Sequence, residues 1–95
     1  MGTRRQGREI ALQMLYALDL NPAEEYPSVP GEANGSRIPF DSLEFAEEIL
    51  RGVKEHRVEI DRLISEKSKH WSIARMARVD LGILRMAVFE LLFRV

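Results

Sequence analysis

The segment 79–94 constrains the fold most, because its apolar residues leave almost no polar face. A helix that is apolar nearly all round is normally buried at the centre of a helical bundle. We therefore expect an all-α chain whose final helix lies between other helices. The sequence ends inside this segment, at Val95, so we expect its covering partners to come from further residues or from a second chain. The apolar residues are Leu81, Ile83, Leu84, Met86, Ala87, Val88, Phe89, Leu91, Leu92 and Phe93.

Two amphipathic segments precede this helix. Residues 4–20 place their apolar side chains on one broad helical face. The segment from 41 to about 68 repeats apolar residues at alternating spacings of three and four, which is typical of a helix packed against another helix. Asp41 to Glu44 resembles a capping box, and a kink near His56 is left open. The two faces consist of Ile10, Ala11, Met14, Leu15 and Leu18, and of Ala46, Ile49, Val53, His56, Ile60 and Leu63.

A loop is predicted over residues 21–40, because all four prolines lie there together with a glycine and an Asn-Gly turn pair. A helical turn at 23–26 is compatible with this pattern. Gly52 lies beside the seam of the second helix and would permit close approach of a neighbour. Ser72 is expected to cap a short turn before the last helix, and Trp71 to anchor that junction. We expect residues 1–95 to form a single domain.

The composition excludes most catalytic chemistry. The chain has no cysteine, which removes disulfides, thiol catalysis and cysteine-ligated metals and fits a reducing, cytoplasmic environment. No metal-binding, nucleotide-binding or nucleophile motif occurs, so we expect no enzyme, no metal and no cofactor. His56 is predicted to be a hydrogen-bonded core histidine. No apolar run approaches the roughly 18 residues of a membrane span, and no membrane association is expected.

The basic N-terminus is the best indication of function. The net charge of −1 hides three arginines among residues 1–10, at Arg4, Arg5 and Arg8. Arginines are unfavourable in the first turn of a helix, because the helix dipole prefers acids there. Guanidinium groups contact phosphates, and aromatic rings such as that of Tyr16, two turns further along, stack on single-stranded bases. These residues predict RNA binding; the alternative is a solvated N-terminus with Tyr16 in the core.

Other charged residues have ordinary structural interpretations. Arg85 either adds to a basic surface with Arg75 and Arg78 or pairs with an internal carboxylate such as Asp80 or Asp61; the sequence leaves both open. Asp80 also has the position of a helix-start acid. Glu90 and Arg94 are spaced as an i,i+4 ion pair.

Five segments resemble a known family in their order and spacing. Residues 4–16 read RRQGREIALQMLY, 45–53 read FAEEILRGV, 60–64 read IDRLI, 71–75 read WSIAR, and 79–91 read VDLGILRMAVFEL. Together they resemble the NusB family of bacterial transcription antitermination factors. The resemblance covers nearly the whole chain apart from residues 21–40.

The resemblance implies an all-helical fold of two packed subdomains and no catalysis. It also implies binding of single-stranded boxA-type RNA in ribosomal RNA leader transcripts. The implied partners are NusE, a protein of the small ribosomal subunit, and the antitermination complex on RNA polymerase. By the same resemblance Arg4, Arg5 and Arg8 contact RNA, Tyr16 lies near the RNA surface, and Asp80 lies near the partner surface.

Three departures from the family pattern accompany this resemblance. The family continues with further helices, so the chain is expected to be an N-terminal portion. Ala77 and Arg78 stand where many members have Ser-Pro, and Leu81 stands where a basic residue is common.

Two other functions remain open alongside RNA-dependent antitermination. One is a protein-interaction module whose final helix docks a partner without binding RNA. The other is the auxiliary RNA-binding domain of an RNA cytosine methyltransferase. With its final helix uncovered, the chain is also expected to form homo-oligomers.

Overall fold

A computed structural model describes residues 2–20, 38–68 and 72–94, and over these ranges the chain is helical with no strand. The all-α prediction is therefore confirmed. Among the described helices none is both long and apolar enough to cross a membrane. The helices are α1 (Gly2–Leu20), α2 (Phe40–Glu55), α3 (Arg57–Lys67) and α4 (Arg78–Val88), with a 3₁₀ turn at Ile73–Arg75 and a π-helical turn at Phe89–Phe93.

Several predictions fall outside the described residues. They concern most of the loop, the helical turn at 23–26, and the role of Trp71. The end of the predicted loop is described: residues 38 and 39 are not helical, and α2 begins at Phe40.

The core lies mainly between α1 and α2, closed on one side by α3 and α4. The predicted apolar faces are buried there, apart from half-buried Leu18, His56 and Leu63. Glycines allow the close approach: a Cβ at Gly7 would lie 2.6 Å from the Phe45 ring, and one at Gly52 would overlap the ring of Phe89. The predicted role of Gly52 is thus confirmed. The core residues are Ile10, Ala11, Met14, Leu15, Phe45, Ala46, Ile49, Leu50, Val53, Ile60, Ile64, Leu81, Met86 and Phe89.

The predicted long helix is interrupted at His56. Its backbone ψ of 14° departs from helical geometry, and this residue separates α2 from α3. The imidazole ring stacks on Phe93, with 4.3 Å between the ring centroids. His56 is half-buried rather than in the core, and among the described residues its ring makes stacking contacts and no side-chain hydrogen bond, so the expected hydrogen-bonded core histidine is not found there.

The two predicted side-chain caps are also wrong. Helix α2 starts at Phe40, after Pro39 and without a side-chain cap, so Asp41 lies inside the first turn and not at the N-cap position that a capping box requires. The hydroxyl of buried Ser42 donates a hydrogen bond to Gln6 Oε1 of α1 at 3.0 Å. Ser72 precedes the expected short turn but makes no side-chain cap. There the backbone closes the turn, since the amide of Arg75 donates to the carbonyl of Ser72.

The last helix lies at the edge of the described bundle, not at its centre. Only one face of α4 and its π-helical turn is buried, through Leu81, Gly82, Arg85, Met86 and Phe89. The expected central position is wrong for the described residues, because no described helix packs on the opposite face. That face, which we call the open apolar face, consists of Val79, Ile83, Leu84, Leu91 and Leu92.

Candidate functional site

Three arginines converge on one aromatic ring at the junction of α1, α2 and the end of the π-helical turn. The guanidinium carbons of Arg4, Arg8 and Arg94 lie 4.9, 5.5 and 4.7 Å from the centroid of the Phe45 ring. Arg4 and Arg8 share a face because they are one helical turn apart. Phe45 is only 6% exposed, so its ring is a rigid platform. We call Arg4, Arg8 and Arg94 the arginine cluster.

Two carboxylates hold members of the cluster. The Nε of Arg8 donates to both carboxylate oxygens of Glu90 at 3.0 Å. Arg94 donates to Glu48 in a two-bond fork, at 3.1 and 3.4 Å. The predicted Glu90–Arg94 pair is therefore wrong. The π-helical turn alters the four-residue register, and each residue finds its partner on another helix.

A cleft of about 200 Å³ opens beside the cluster. Its walls offer guanidinium donors, an aromatic edge and several carboxylates. Arginine forks of this kind bind planar or tetrahedral oxyanions, and the carboxylates compete for them. Among the residues that the structure describes, no group of three or more His, Asp or Glu side chains is placed to hold a metal ion. The cleft is lined by Thr3, Arg4, Asp41, Glu44, Phe45, Glu48 and Arg94.

The other predicted site residues lie apart from the cluster. Arg5 is not part of the arginine cluster; its side chain is 86% exposed and lies 3.5 Å from Glu9. Tyr16 is exposed rather than in the core, so the alternative that buried it is wrong. Asp80 is exposed in the first turn of α4, as expected of a helix-start acid. The structure therefore brings together Arg4 and Arg8 but not Arg5, Tyr16 or Asp80.

Arg94 is the member of the site that the sequence analysis missed. Arg94 lies far from Arg4 in the chain, so the sequence shows only its four-residue spacing from Glu90. The sequence gives one weak indication of its role, which is that Arg94 is a basic residue directly after an apolar helix. Only the packing of the π-helical turn against α2 carries it to Phe45.

A second charged cluster has a structural role. Arg85, whose side chain is 6% exposed, donates two hydrogen bonds to Asp61 at 2.8 and 2.9 Å. Asp19 lies 3.6 Å from the Arg85 guanidinium and 3.7 Å from that of Arg57. The predicted Arg85–Asp61 pair is confirmed. These residues join the end of α1 to α3 and α4, and we call them the buried ion network.

Comparison with known proteins gives a consistent result. A profile described as "NusB family" matches residues 5–95. The chain is 54% identical to the transcription antitermination protein NusB of Geobacter sulfurreducens, over 99% of this chain and 69% of that protein. It is 47% identical to the protein of the same name from Trichlorobacter lovleyi, over 99% of this chain and 66% of that protein. For the Myxococcus xanthus protein the identity is 42%, over 99% and 70%.

The chain thus spans about two thirds of the length of these relatives. No solved structure matches it. The relatives are named as antitermination proteins and not as enzymes. Since the profile and the relatives cover nearly all of its residues, the chain belongs to the NusB family.

Proposed function

We propose that the chain acts in transcription antitermination by binding single-stranded boxA-type RNA. Arg4, Arg5 and Arg8 contact phosphates, and Tyr16 stacks on a base. NusE binds beside the start of α4, near Asp80, and the two proteins act together on RNA polymerase in the cytoplasm. The names of the relatives support this role.

The observation that carries the proposal is the presentation of Arg4 and Arg8 one turn apart over the Phe45 ring. Packing on the ring restricts both side chains, and both stay accessible to a ligand, since Arg4 is exposed and the Arg8 side chain is 44% exposed. Phosphate contacts of this type supply affinity and register, whereas exposed aromatic rings favour unpaired bases. Single-stranded RNA therefore suits the site better than a rigid duplex.

The test is a titration of labelled single-stranded boxA-type RNA at two salt concentrations, with and without NusE. We expect binding that weakens as salt rises and strengthens with NusE. Arg62→Ala is the control for losing one arginine outside the proposed site, because Arg62 is an exposed arginine of α3 that pairs with Glu66. No binding in dilute buffer, even with NusE added, would refute the proposal.

A second candidate function is a protein-interaction module that binds no RNA. The open apolar face supports it, because exposed apolar patches of this kind mark interaction surfaces. Under this alternative NusE binds the chain in the absence of RNA, and the RNA titration shows no salt-dependent signal.

A further inference from the structure

We propose that Arg94 is a further phosphate-binding residue of this site, and that Glu48 and Glu90 occupy the guanidinium edges that RNA phosphates take on binding. This inference rests on the proposed function, because it concerns the same RNA. It extends that function by naming the residues that set the affinity.

The placement of Arg94 is the first observation. The amide of Arg94 donates to the carbonyl of Phe89 at 3.0 Å, which closes the π-helical turn. This turn brings the guanidinium within 4.7 Å of the Phe45 centroid, closer than that of Arg4 or Arg8. The site is therefore assembled from both ends of the described chain, and Arg94 lines the same cleft as Arg4.

The second observation is the manner in which the carboxylates bind. The two oxygens of Glu48 accept from two donors of Arg94, Nε and Nη2, whereas both oxygens of Glu90 accept from a single donor, Nε of Arg8. The planar guanidinium group matches a carboxylate and a phosphate in the same way, through paired N–H donors. Glu48 thus stands where Arg94 would bind a phosphate through paired donors, and Glu90 covers the Nε–H that Arg8 would offer to a phosphate.

The third observation is that these pairs can open at low cost. The Glu48 side chain is 50% exposed and that of Arg8 is 44% exposed, whereas their partners Arg94 and Glu90 are 26% and 19% exposed, so water and ligand reach each pair from one side. Such partly exposed ion pairs are screened by water and contribute less to stability than fully buried pairs. The three guanidinium groups around one ring also repel one another. A polyanion that contacts all three reduces this repulsion. Exchange of carboxylate for phosphate is therefore feasible without unfolding.

The test compares RNA affinities of Glu48→Gln, Glu90→Gln and the double variant of the full chain. Glutamine keeps the side-chain length and one acceptor oxygen, so the arginines stay in place while the competing charge is lost. We expect each substitution to tighten binding of boxA-type RNA about two- to fivefold at low salt, the range that an exposed ion pair can contribute. Glu66→Gln is the control, because it removes the same charge from a pair with Arg62 on α3.

Arg94→Gln is the complementary variant. We expect weaker RNA binding and a salt-dependence slope reduced by roughly 0.7, the value for one lost phosphate contact with a single strand. Circular dichroism and thermal unfolding establish that each variant is folded before its affinity is compared.

The outcomes separate this inference from the proposed function. If the unmodified chain binds RNA but Glu48→Gln and Glu90→Gln bind no tighter than Glu66→Gln, the exchange of carboxylate for phosphate is wrong. If Arg94→Gln keeps the original affinity and slope, the assignment of Arg94 is wrong. If neither the unmodified chain nor the glutamine variants bind RNA, the proposed function fails and this inference fails with it.

Discussion

Phe45 links the core to the surface of the molecule. One edge of its ring packs beside Gly7 of α1, where a Cβ would lie 2.6 Å from Cδ2, and its π-system is surrounded by three guanidinium groups. A buried ring with so little freedom restricts the arginines that pack on it, which reduces the entropy that they lose on binding an anion. Phe45 therefore both fills the core and positions the arginine side chains.

At the scale of single residues, Arg5→Ala combined with Arg8→Ala is expected to weaken RNA binding and flatten its salt dependence. Each lost phosphate contact removes roughly 0.7 from the slope. The two single variants show how much each arginine contributes to RNA affinity. Arg8 belongs to the arginine cluster, while Arg5 pairs only with Glu9 among the described residues. Fluorescence anisotropy across a salt series measures the slopes. An unchanged slope in the double variant would show that these arginines do not bind phosphate.

Gly52→Ala is expected to destabilise the fold by about 1–3 kcal/mol, the usual cost of overpacking a core. Its Cβ would overlap the rigid ring of Phe89. Gly82→Ala is the matched control, because its Cβ would meet only the flexible end of Leu12, at 2.8 Å. Alanine also has the better helix propensity, so Gly82→Ala is expected to be close to neutral. Urea denaturation of both variants measures the difference; equal midpoints would contradict the predicted close contact.

At the scale of helices, the buried ion network determines how α1, α3 and α4 meet. Apolar packing orients α1 against α2, but the end of α1 contacts the other two helices through Asp19, Arg57, Asp61 and Arg85. Such a network adds directional constraints that apolar contacts lack, and it leaves no unsatisfied buried side-chain atom among the described residues.

Asp61→Asn tests the buried ion network. We expect a loss of about 1–3 kcal/mol in the free energy of unfolding, because the nearly buried Arg85 loses its closest charged partner. The loss stays below that of a fully broken buried pair, since Asp19 still faces Arg85 at 3.6 Å. Glu59→Gln, at an exposed carboxylate of the same helix, is expected to change stability little. If the two variants unfold at the same temperature, the network does not stabilise the helix junction.

At the scale of the whole molecule, charge and hydropathy are divided between two surfaces. The arginine cluster and its cleft lie where α1 and α2 meet the end of the π-helical turn. The open apolar face borders a groove of about 230 Å³ between α3 and α4. Covering an apolar surface of this kind lowers the free energy, because it removes apolar area from water. The groove is lined by Leu63, Ile64, Lys67, Ser68, Leu84, Val88 and Leu92.

The residues 1–95, prepared as a separate protein, are therefore expected to self-associate through the open apolar face. Leu91, whose relative exposure is 76%, contributes to that face without supporting the core. Leu91→Lys should shift the equilibrium toward monomer while leaving thermal unfolding of the monomer nearly unchanged. Sedimentation over a range of concentrations measures the association. A compact monomer of the unmodified chain at high concentration would contradict the prediction.

The local sequence pattern was sufficient to predict the helices and much of the core. The spacing of Ile10, Met14, Ile49 and Ile60 predicts which faces are buried, because helical periodicity is a property of neighbouring residues. The Arg85–Asp61 pair was also foreseen, as one of two candidate partners. A kink near His56 was left open by the sequence, and neither the loss of both expected caps nor the position of Arg94 was foreseen. The outcome at His56 and the position of Arg94 involve contacts between residues far apart in the chain, namely stacking of His56 on Phe93 and packing of Arg94 on the ring of Phe45. Such contacts compete with local preferences of similar size, so their outcome is settled only when the helices pack.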